Sequence, residues 1–262
     1  MSTPTPAILV LGASSGFGEA TVRAFAAAGY DVFGVHLDRA AGLAHVAEIV
    51  AAVEAHGRRA RFFNVNAADA EKRAEVVDQL RLEIPAGGLA VLLHSLAFGT
   101  LKPLVTDDEK EALNQRQLEM TLDVMANSLV YWTQDLVRAG LLGRGGRIYA
   151  MTSAGDRIIW KAYGAVSAAK CALESHIRQL AVELAPAGIT ANAIKAGVTD
   201  TPALRKIPGN AEIIESARAR NPSGRLTTPE DVARCLVALA APGTQWLTGN
   251  VIQVDGGEDV AG

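Results

Sequence analysis

The unbroken apolar run from Ala7 to Leu11 passes without a spacer into Gly12-Ala13-Ser14-Ser15-Gly16-Phe17-Gly18, and this junction constrains the chain more than any other stretch. Consecutive apolar residues cannot alternate between core and water, so the strand they form is covered on both faces, as in a parallel sheet flanked by helices. The glycines then turn the chain into a helix with apolar Ala20, Val22, Phe25 and Ala26 that stops at Gly29. Strand, turn and helix start together offer unpaired backbone N–H groups and the positive end of a helix dipole, which suits a pyrophosphate. Gly12 permits the turn, Gly16 lets backbone approach phosphates, Gly18 lets helix and strand pack closely, and Ser14, Ser15 and Phe17 line the same cradle. The spacing is G-x3-G-x-G rather than G-x-G-x-x-G, and an ordinary tight turn is the competing reading. Its place directly after a buried strand favours a nucleotide.

The same alternation continues to the end of the chain. Strands are expected at Asp31–Leu37, Ala60–Val65, Leu89–Leu93, Arg147–Ser153, Thr190–Gly197 and Asn250–Gly257, with helical patterns between them. There is no internal repeat and no linker, so residues 1–262 read as a single doubly wound, Rossmann-type α/β domain. Its sheet should be mostly parallel, seven-stranded and covered by helices on both faces. Thr106 followed by Asp107, Asp108 and Glu109 reads as a capping box opening a long helix to about Ala139, and not as a metal site. Thr228-Pro229 is a second helix start. Residues 198–224 form an irregular segment with a short helix, expected to cover a substrate.

Composition narrows the function classes. With 49% apolar and 20% charged residues, a net charge of −3 and no basic run, the chain invites neither nucleic acid nor an anionic membrane surface. Cys171 and Cys235 each sit in an apolar helical pattern, which predicts buried free thiols in a reducing compartment. No apolar run approaches the roughly 18 residues of a membrane span, and the opening residues lack a signal-peptide pattern, so a cytoplasmic protein is expected. His36, His45, His56 and His176 have no ligand spacing; no metal is expected.

Chemistry concentrates at strand ends, where open parallel sheets bind ligands. Asp38 and Arg39 follow the second strand: a carboxylate there accepts from a ribose 2′-hydroxyl, and an arginine pairs with a 2′-phosphate. Asn64 and Val65 would flank an adenine, and Ser95, Leu96 and Ala97 leave the fourth strand at the same edge. Ser153 ends the fifth strand, and Tyr163 and Lys170 follow seven residues apart on an expected helix. That spacing is about 700° of rotation and about 10 Å of rise, so phenol and ammonium lie on one helix face. Alone, the pair is equally a surface coincidence; the glycine turn and the strand edge give it meaning.

The GASSGFG turn, Asn64-Val65, Ser153, Tyr163, Lys170, the AGVTDT segment 196–201 and VDGG at 254–257 resemble the short-chain dehydrogenase/reductase superfamily over nearly the whole chain. Lys follows Tyr by seven positions rather than four, His94-Ser95-Leu96-Ala97 replaces Asn-Asn-Ala-Gly, and DTPALRKIPG is followed by ARNPSGRL; these features resemble the divergent enoyl-acyl-carrier-protein reductase branch. The resemblance implies hydride transfer from a reduced nicotinamide, with Tyr163 aimed at the substrate oxygen, Lys170 on the nicotinamide ribose and Ser153 on the same oxygen as Tyr163. It implies Gly197, Thr199 and Thr201 at the carboxamide side, and Phe98, Leu204 and Ile207, with Ile213 and Ile214, around an acyl group. Met125 stands where the commoner branch has a catalytic Asn. Arg39 favours NADP(H), and Asp38 keeps NAD(H) open. The substrate is a small molecule or acyl thioester. Enoyl-thioester reduction, ketone or alcohol oxidoreduction and a non-catalytic cofactor sensor all stay open; a homotetramer is implied by the resemblance alone.

Overall fold

The apolar run Ala7–Leu11 forms strand β1, and all of its residues are buried in the computed structural model, which describes residues 5–157 and 159–261. Six further strands follow: β2 (Asp31–His36), β3 (Ala60–Asn64), β4 (Leu89–His94), β5 (Arg147–Ser153), β6 (Thr190–Ala196) and β7 (Val251–Val254). They make one parallel sheet in the order β3-β2-β1-β4-β5-β6-β7. The order reverses between β1 and β4, which opens a crevice at the carboxyl edge.

Alternate residues of each strand feed two cores. Leu9 and Leu11 face one layer with Leu80, Leu129, Trp132, Leu173 and Ile177; Ile8 and Val10 face the other with Val22, Phe25, Ile49, Val53 and Leu236. The first layer is built from helices α3 (Ala70–Glu83), α4 (Gln115–Leu122), α5 (Ser128–Arg138) and α6 (Gly164–Leu184). The second is built from α1 (Gly16–Ala27), α2 (Leu43–Glu54) and α8 (Pro229–Ala240), and α7 (Asn210–Arg220) lies in the segment expected to be irregular. Trp132 shows how the layers are pinned: its ring is fully buried while Nε1 donates to the Ala67 carbonyl at 2.8 Å.

Several expectations need correction. The capping box at Thr106 does not form, and helix begins only at Gln115, where Asn114 accepts from the Gln117 amide at 2.9 Å and the Gln117 side chain accepts from the Asn114 amide at 3.1 Å. Asn-x-x-Gln caps the helix in place of Thr106, eight residues later, and the residues before it fold back through Leu113 N to Pro103 O (2.8 Å) and Lys102 Nζ to Lys110 O (2.7 Å). The expected long helix is also interrupted: α4 joins α5 through a π turn at Asp123–Asn127, a feature frequent at functional sites. Cys171 is exposed, with Sγ directed at the Asp156 carbonyl (3.2 Å), and Cys235 is half-buried; both are free thiols. The Thr228 box is formed, with Asp231 as its reciprocal partner. The last strand is shorter than expected because Asp255–Gly257 leave the ladder as a turn, with Gly257 N bonded to Asp255 Oδ1 at 2.9 Å. Among the described residues, no helix is long and apolar enough to cross a membrane.

Candidate active site

Contacts too close for any side chain shape the glycine turn. A Cβ on Gly12, which adopts φ +89°, would lie 2.4 Å from the Ser95 carbonyl oxygen, and one on Gly18 would lie 1.9 Å from the Gly12 oxygen. The turn is thereby wedged between β1, the end of β4 and the start of α1. Ser15 caps α1 with extended backbone and no side-chain hydrogen bond, so the amides of the first turn keep no side-chain acceptor. A free helix start beside glycine backbone fits a pyrophosphate. A Cβ on Gly16 would meet the Thr201 methyl at 3.4 Å, which brings the segment after β6 over the cradle.

The end of β2 is tied to β3. Asn64 Oδ1 accepts from the Asp38 amide at 3.0 Å and its Nδ2 donates to the Asp38 carbonyl at 2.9 Å, so this side chain clamps backbone. Val65 packs partly into the core and its amide bonds the His36 carbonyl at 2.9 Å. Asp38 Oδ2 lies 2.9 Å from His36 Nδ1, whereas the neighbouring Arg39 is exposed and makes no ion pair among the described residues.

At the end of β4, the Ser95 amide bonds the Leu11 carbonyl at 2.9 Å, Leu96 packs against the core, and Ala97 and Phe98 are exposed. His94 is fully buried. Its Nε2 lies 2.9 Å from Ser128 Oγ, which itself donates to the Val124 carbonyl at 2.8 Å, so the ring is the Nε2–H tautomer. Burial, aided by the nearby Lys170 charge, lowers its pKa to about 3.

Tyr163 is not a helical residue, contrary to the expected helix-face pairing; it is the N-cap of α6, with φ −97° and ψ 0°. Its direction is set by the loop before it, where Ala162 is the one non-glycine residue at positive φ (+62°) among the described residues. The ring lies over Gly155: a Cβ there would be 2.4 Å from Tyr163 Cε1 and 3.2 Å from both Tyr163 Cζ and Ser153 Oγ. Ser153 Oγ is buried and has no partner of hydrogen-bonding geometry among the described residues, so it is a polar group awaiting one. Burial pushes the Tyr163 phenol up, and the adjacent Ser153 hydroxyl pulls it partly back. Lys170 is buried on α6, and its Nζ donates to the Met151 carbonyl (2.7 Å). Burial lowers its pKa to about 8 against the opposing charge of Glu174.

Gly197, Thr199 and Thr201 continue from β6. Thr199 Oγ1 donates to the Gly197 carbonyl at 3.0 Å, and Thr201 Oγ1 accepts from the Leu204 amide at 3.2 Å. Leu204, Ile207, Ile213 and Ile214 are half-buried, and Trp160 joins their segment to the Tyr163 loop by donating to the Pro208 carbonyl at 2.7 Å.

The model of the family described as enoyl-(acyl carrier protein) reductase matches residues 12–258, nearly the whole chain. The chain belongs to the short-chain dehydrogenase/reductases, in their enoyl-reductase-like branch. The NADH enoyl-(acyl-carrier-protein) reductase of Aquifex aeolicus is 32% identical over 184 residues, 69% of this chain and 66% of that protein. The 3-oxoacyl-(acyl-carrier-protein) reductase of Aggregatibacter actinomycetemcomitans is 30% identical over 253 residues, 95% of this chain and 98% of that one. A short-chain dehydrogenase from Burkholderia cenocepacia, solved in complex with NADP, superposes with a TM-score of 0.82 at 29% identity, covering 97% of this chain and 98% of its own.

As a member of this oxidoreductase family, the chain carries residues around the site that its sequence motifs did not single out. Gly155 lies against the Tyr163 ring, which leaves no room there for a Cβ. Glu174 and Lys195 are buried on α6 and β6. A signal for Lys195 was present, since a lysine inside the otherwise uncharged strand Thr190–Ala196 needs a buried partner. Gly155 gave none, because its importance comes from a ring eight residues on.

Proposed function

We propose that this dehydrogenase/reductase reduces the carbon–carbon double bond of an enoyl thioester with NADPH. The observation that carries the reading is the state of Tyr163: a buried phenol pushed above its ordinary pKa, with the Lys170 ammonium directed to a backbone carbonyl. A phenol kept protonated is suited to hydrogen-bond the oxygen of an enolate, which needs charge stabilisation more than a rapid proton. Met125 on the π turn packs against Gly99, where a Cβ would meet its sulfur at 2.9 Å, and the family resemblance puts this apolar residue where the commoner branch has a catalytic Asn.

The bound nicotinamide would supply the hydride. In this reading the cradle Gly12–Gly18 holds the pyrophosphate, Arg39 the 2′-phosphate, Val65 the adenine side, and Ser95 to Ala97 the ribose side of the crevice. Asn64 supports that surface through the Asp38 backbone. Lys170 leaves Met151 to bind the nicotinamide ribose hydroxyls, and Gly197, Thr199 and Thr201 border the carboxamide. Residues 198–224 would cover the acyl chain, with Leu204, Ile207 and Phe98 as its apolar contacts.

Ser153 supports a second reading. Its unpartnered hydroxyl beside the phenol gives two donors for one oxygen, which also suits reduction of a 3-oxoacyl thioester. Crotonyl and acetoacetyl thioesters assayed side by side with NADPH and NADH decide between them. Oxidation of cofactor with crotonyl thioester is expected to be the faster by about tenfold or more; turnover of the ketone alone would overturn the first reading.

A further inference from the structure

The turn that supports the phenol is held from below by buried charge. After β5 ends at Ser153, residues 154–156 make a single tight turn, and its central residue is the Gly155 on which the Tyr163 ring rests. Asp156, the last residue of that turn, places Oδ2 2.7 Å from Lys195 Nζ on β6. Lys195 is only 7% exposed, in register with Thr152 on β5, and its Nζ also lies 3.8 Å from Glu174 Oε1 on α6. That same carboxylate oxygen accepts from Thr152 Oγ1 at 2.7 Å, and Glu174 sits one helical turn beyond Lys170. Two ammonium groups, Lys170 and Lys195, thus balance two carboxylates, Glu174 and Asp156, in a space that joins β5, β6, α6 and the turn.

A buried ion pair of this kind is a poor source of stability, because desolvation of both charges opposes their attraction. It is a good source of position, since a lysine between two carboxylates cannot shift without leaving one of them unpaired. The turn's other ties are few: Arg157 N bonds the Ala154 carbonyl at 3.1 Å and Cys171 Sγ donates to the Asp156 carbonyl at 3.2 Å. Ala162 occupies a sparsely populated conformation on one side of Tyr163, and the turn has no side-chain cap.

We propose that Lys195 and Asp156 form a positioning pair that fixes the 154–156 turn under Tyr163, and so sets where the phenol stands in the cleft. The pair touches neither cofactor nor substrate. It acts on the reacting geometry through Gly155, and it rests on the reading of Tyr163 as the group that meets the substrate oxygen.

The test compares Lys195→Met, Asp156→Asn, the double variant and Lys195→Arg with the parent protein. Steady-state kinetics would use whichever of the crotonyl and acetoacetyl thioesters the parent turns over, and backbone amide exchange would be followed in the peptide 154–163. Each single loss is expected to lower kcat about tenfold while leaving the KM for reduced cofactor within about twofold. Exchange in 154–163 should rise about tenfold with β1 and α1 unchanged. The double variant should be no worse than either single, and Lys195→Arg, which keeps a cation between the carboxylates, should recover at least about half of the lost kcat. Additive losses, or exchange in 154–163 equal to the parent, would overturn the pairing. If the parent reduces neither thioester, exchange and its double-variant cycle still decide the pairing, while the functional reading alone fails. If Lys195→Met does not fold, Asp156→Asn and Lys195→Arg carry the same comparison.

Discussion

The β1–β3 half of the sheet and the β4–β6 half are built by different physics. In the first, the crevice is shaped by backbone: Gly12 and Gly18 approach other main-chain atoms more closely than side chains permit, Gly16 adopts φ +54°, and His36 is the one ionisable residue buried in its strands. In the second, His94, Lys170, Glu174 and Lys195 are all buried around the ends of the strands. Steric closeness is insensitive to pH and intolerant of an added atom. Buried charge tolerates small changes of shape and responds to pH and to loss of a partner. The half we propose for the cofactor should therefore fail by occlusion, and the half with the proposed catalytic groups by electrostatics.

The sharpest way to break that contrast is to remove one atom from the second half and add one to the first. Tyr163→Phe deletes a single oxygen and is expected to lower kcat by about 10²–10⁴-fold with cofactor affinity nearly unchanged. Fluorescence titration of the reduced cofactor beside steady-state kinetics checks both halves of the statement, and a variant retaining a tenth of the parent kcat would remove the phenol from the chemistry. Gly18→Ala should do the reverse. Its Cβ would sit 1.9 Å from the Gly12 oxygen, so turn and helix must separate at a cost of about 3 kcal/mol or more. Melting temperature and cofactor titration should fall together at every pH, and a normal melt with normal cofactor affinity would show that the cradle yields.

The same division governs what could be read from the letters. The β1–α1 turn was legible because its signals are local: an apolar strand, then glycines, then a helix whose start coincides with the turn. All seven strands were legible for the same reason, their ends shifting by one to three residues where register with a neighbour, such as Ser153 with Ala196, decides where pairing stops. Tyr163, Lys170 and Ser153 could be singled out as candidates, yet not their geometry. Helical spacing put phenol and ammonium on one face, whereas Tyr163 stands before the helix and is aimed by Ala162 and Gly155. The Asp156, Glu174 and Lys195 cluster comes from three separate elements, and no periodicity reports a contact made across a sheet. Thr106 misled because its local signal was genuine; a stronger pair at Asn114 and Gln117, backed by packing of the folded-back segment, prevailed.

His94 offers a pH test that the cofactor half should not reproduce. Its pKa is lowered from 6.5 to about 3 in the folded chain, so between these values the unfolded chain binds a proton that the folded chain refuses. The corresponding stability is present in full above pH 6.5 and drains away as pH falls toward 3, on the order of 3–5 kcal/mol in all. His94→Gln should therefore lose stability at pH 7 but flatten the pH dependence, by up to about 1.4 kcal/mol per pH unit between pH 4 and 6. Urea unfolding at several pH values measures the slopes, and parallel slopes for parent and variant would mean that the buried ring is not what drives acid sensitivity.

Arg39 sharpens the contrast from the other side, because it stands exposed just beyond the end of β2. Asp38, which would hold a ribose 2′-hydroxyl, already has one carboxylate oxygen 2.9 Å from His36 Nδ1, whereas Arg39 is exposed and unpaired among the described residues. A guanidinium beside a 2′-phosphate makes charge-assisted hydrogen bonds, while a 2′-hydroxyl gives it little to hold. Arg39→Ala should thus weaken NADPH binding about tenfold and leave NADH within about twofold, and the gap should narrow as salt rises because the site faces solvent. Parallel titration of both cofactors at low and high ionic strength measures this. Equal NADPH affinity for variant and parent would assign the 2′ position to Asp38, and the cofactor half would then select its ligand by hydrogen bonding from a carboxylate already turned toward His36.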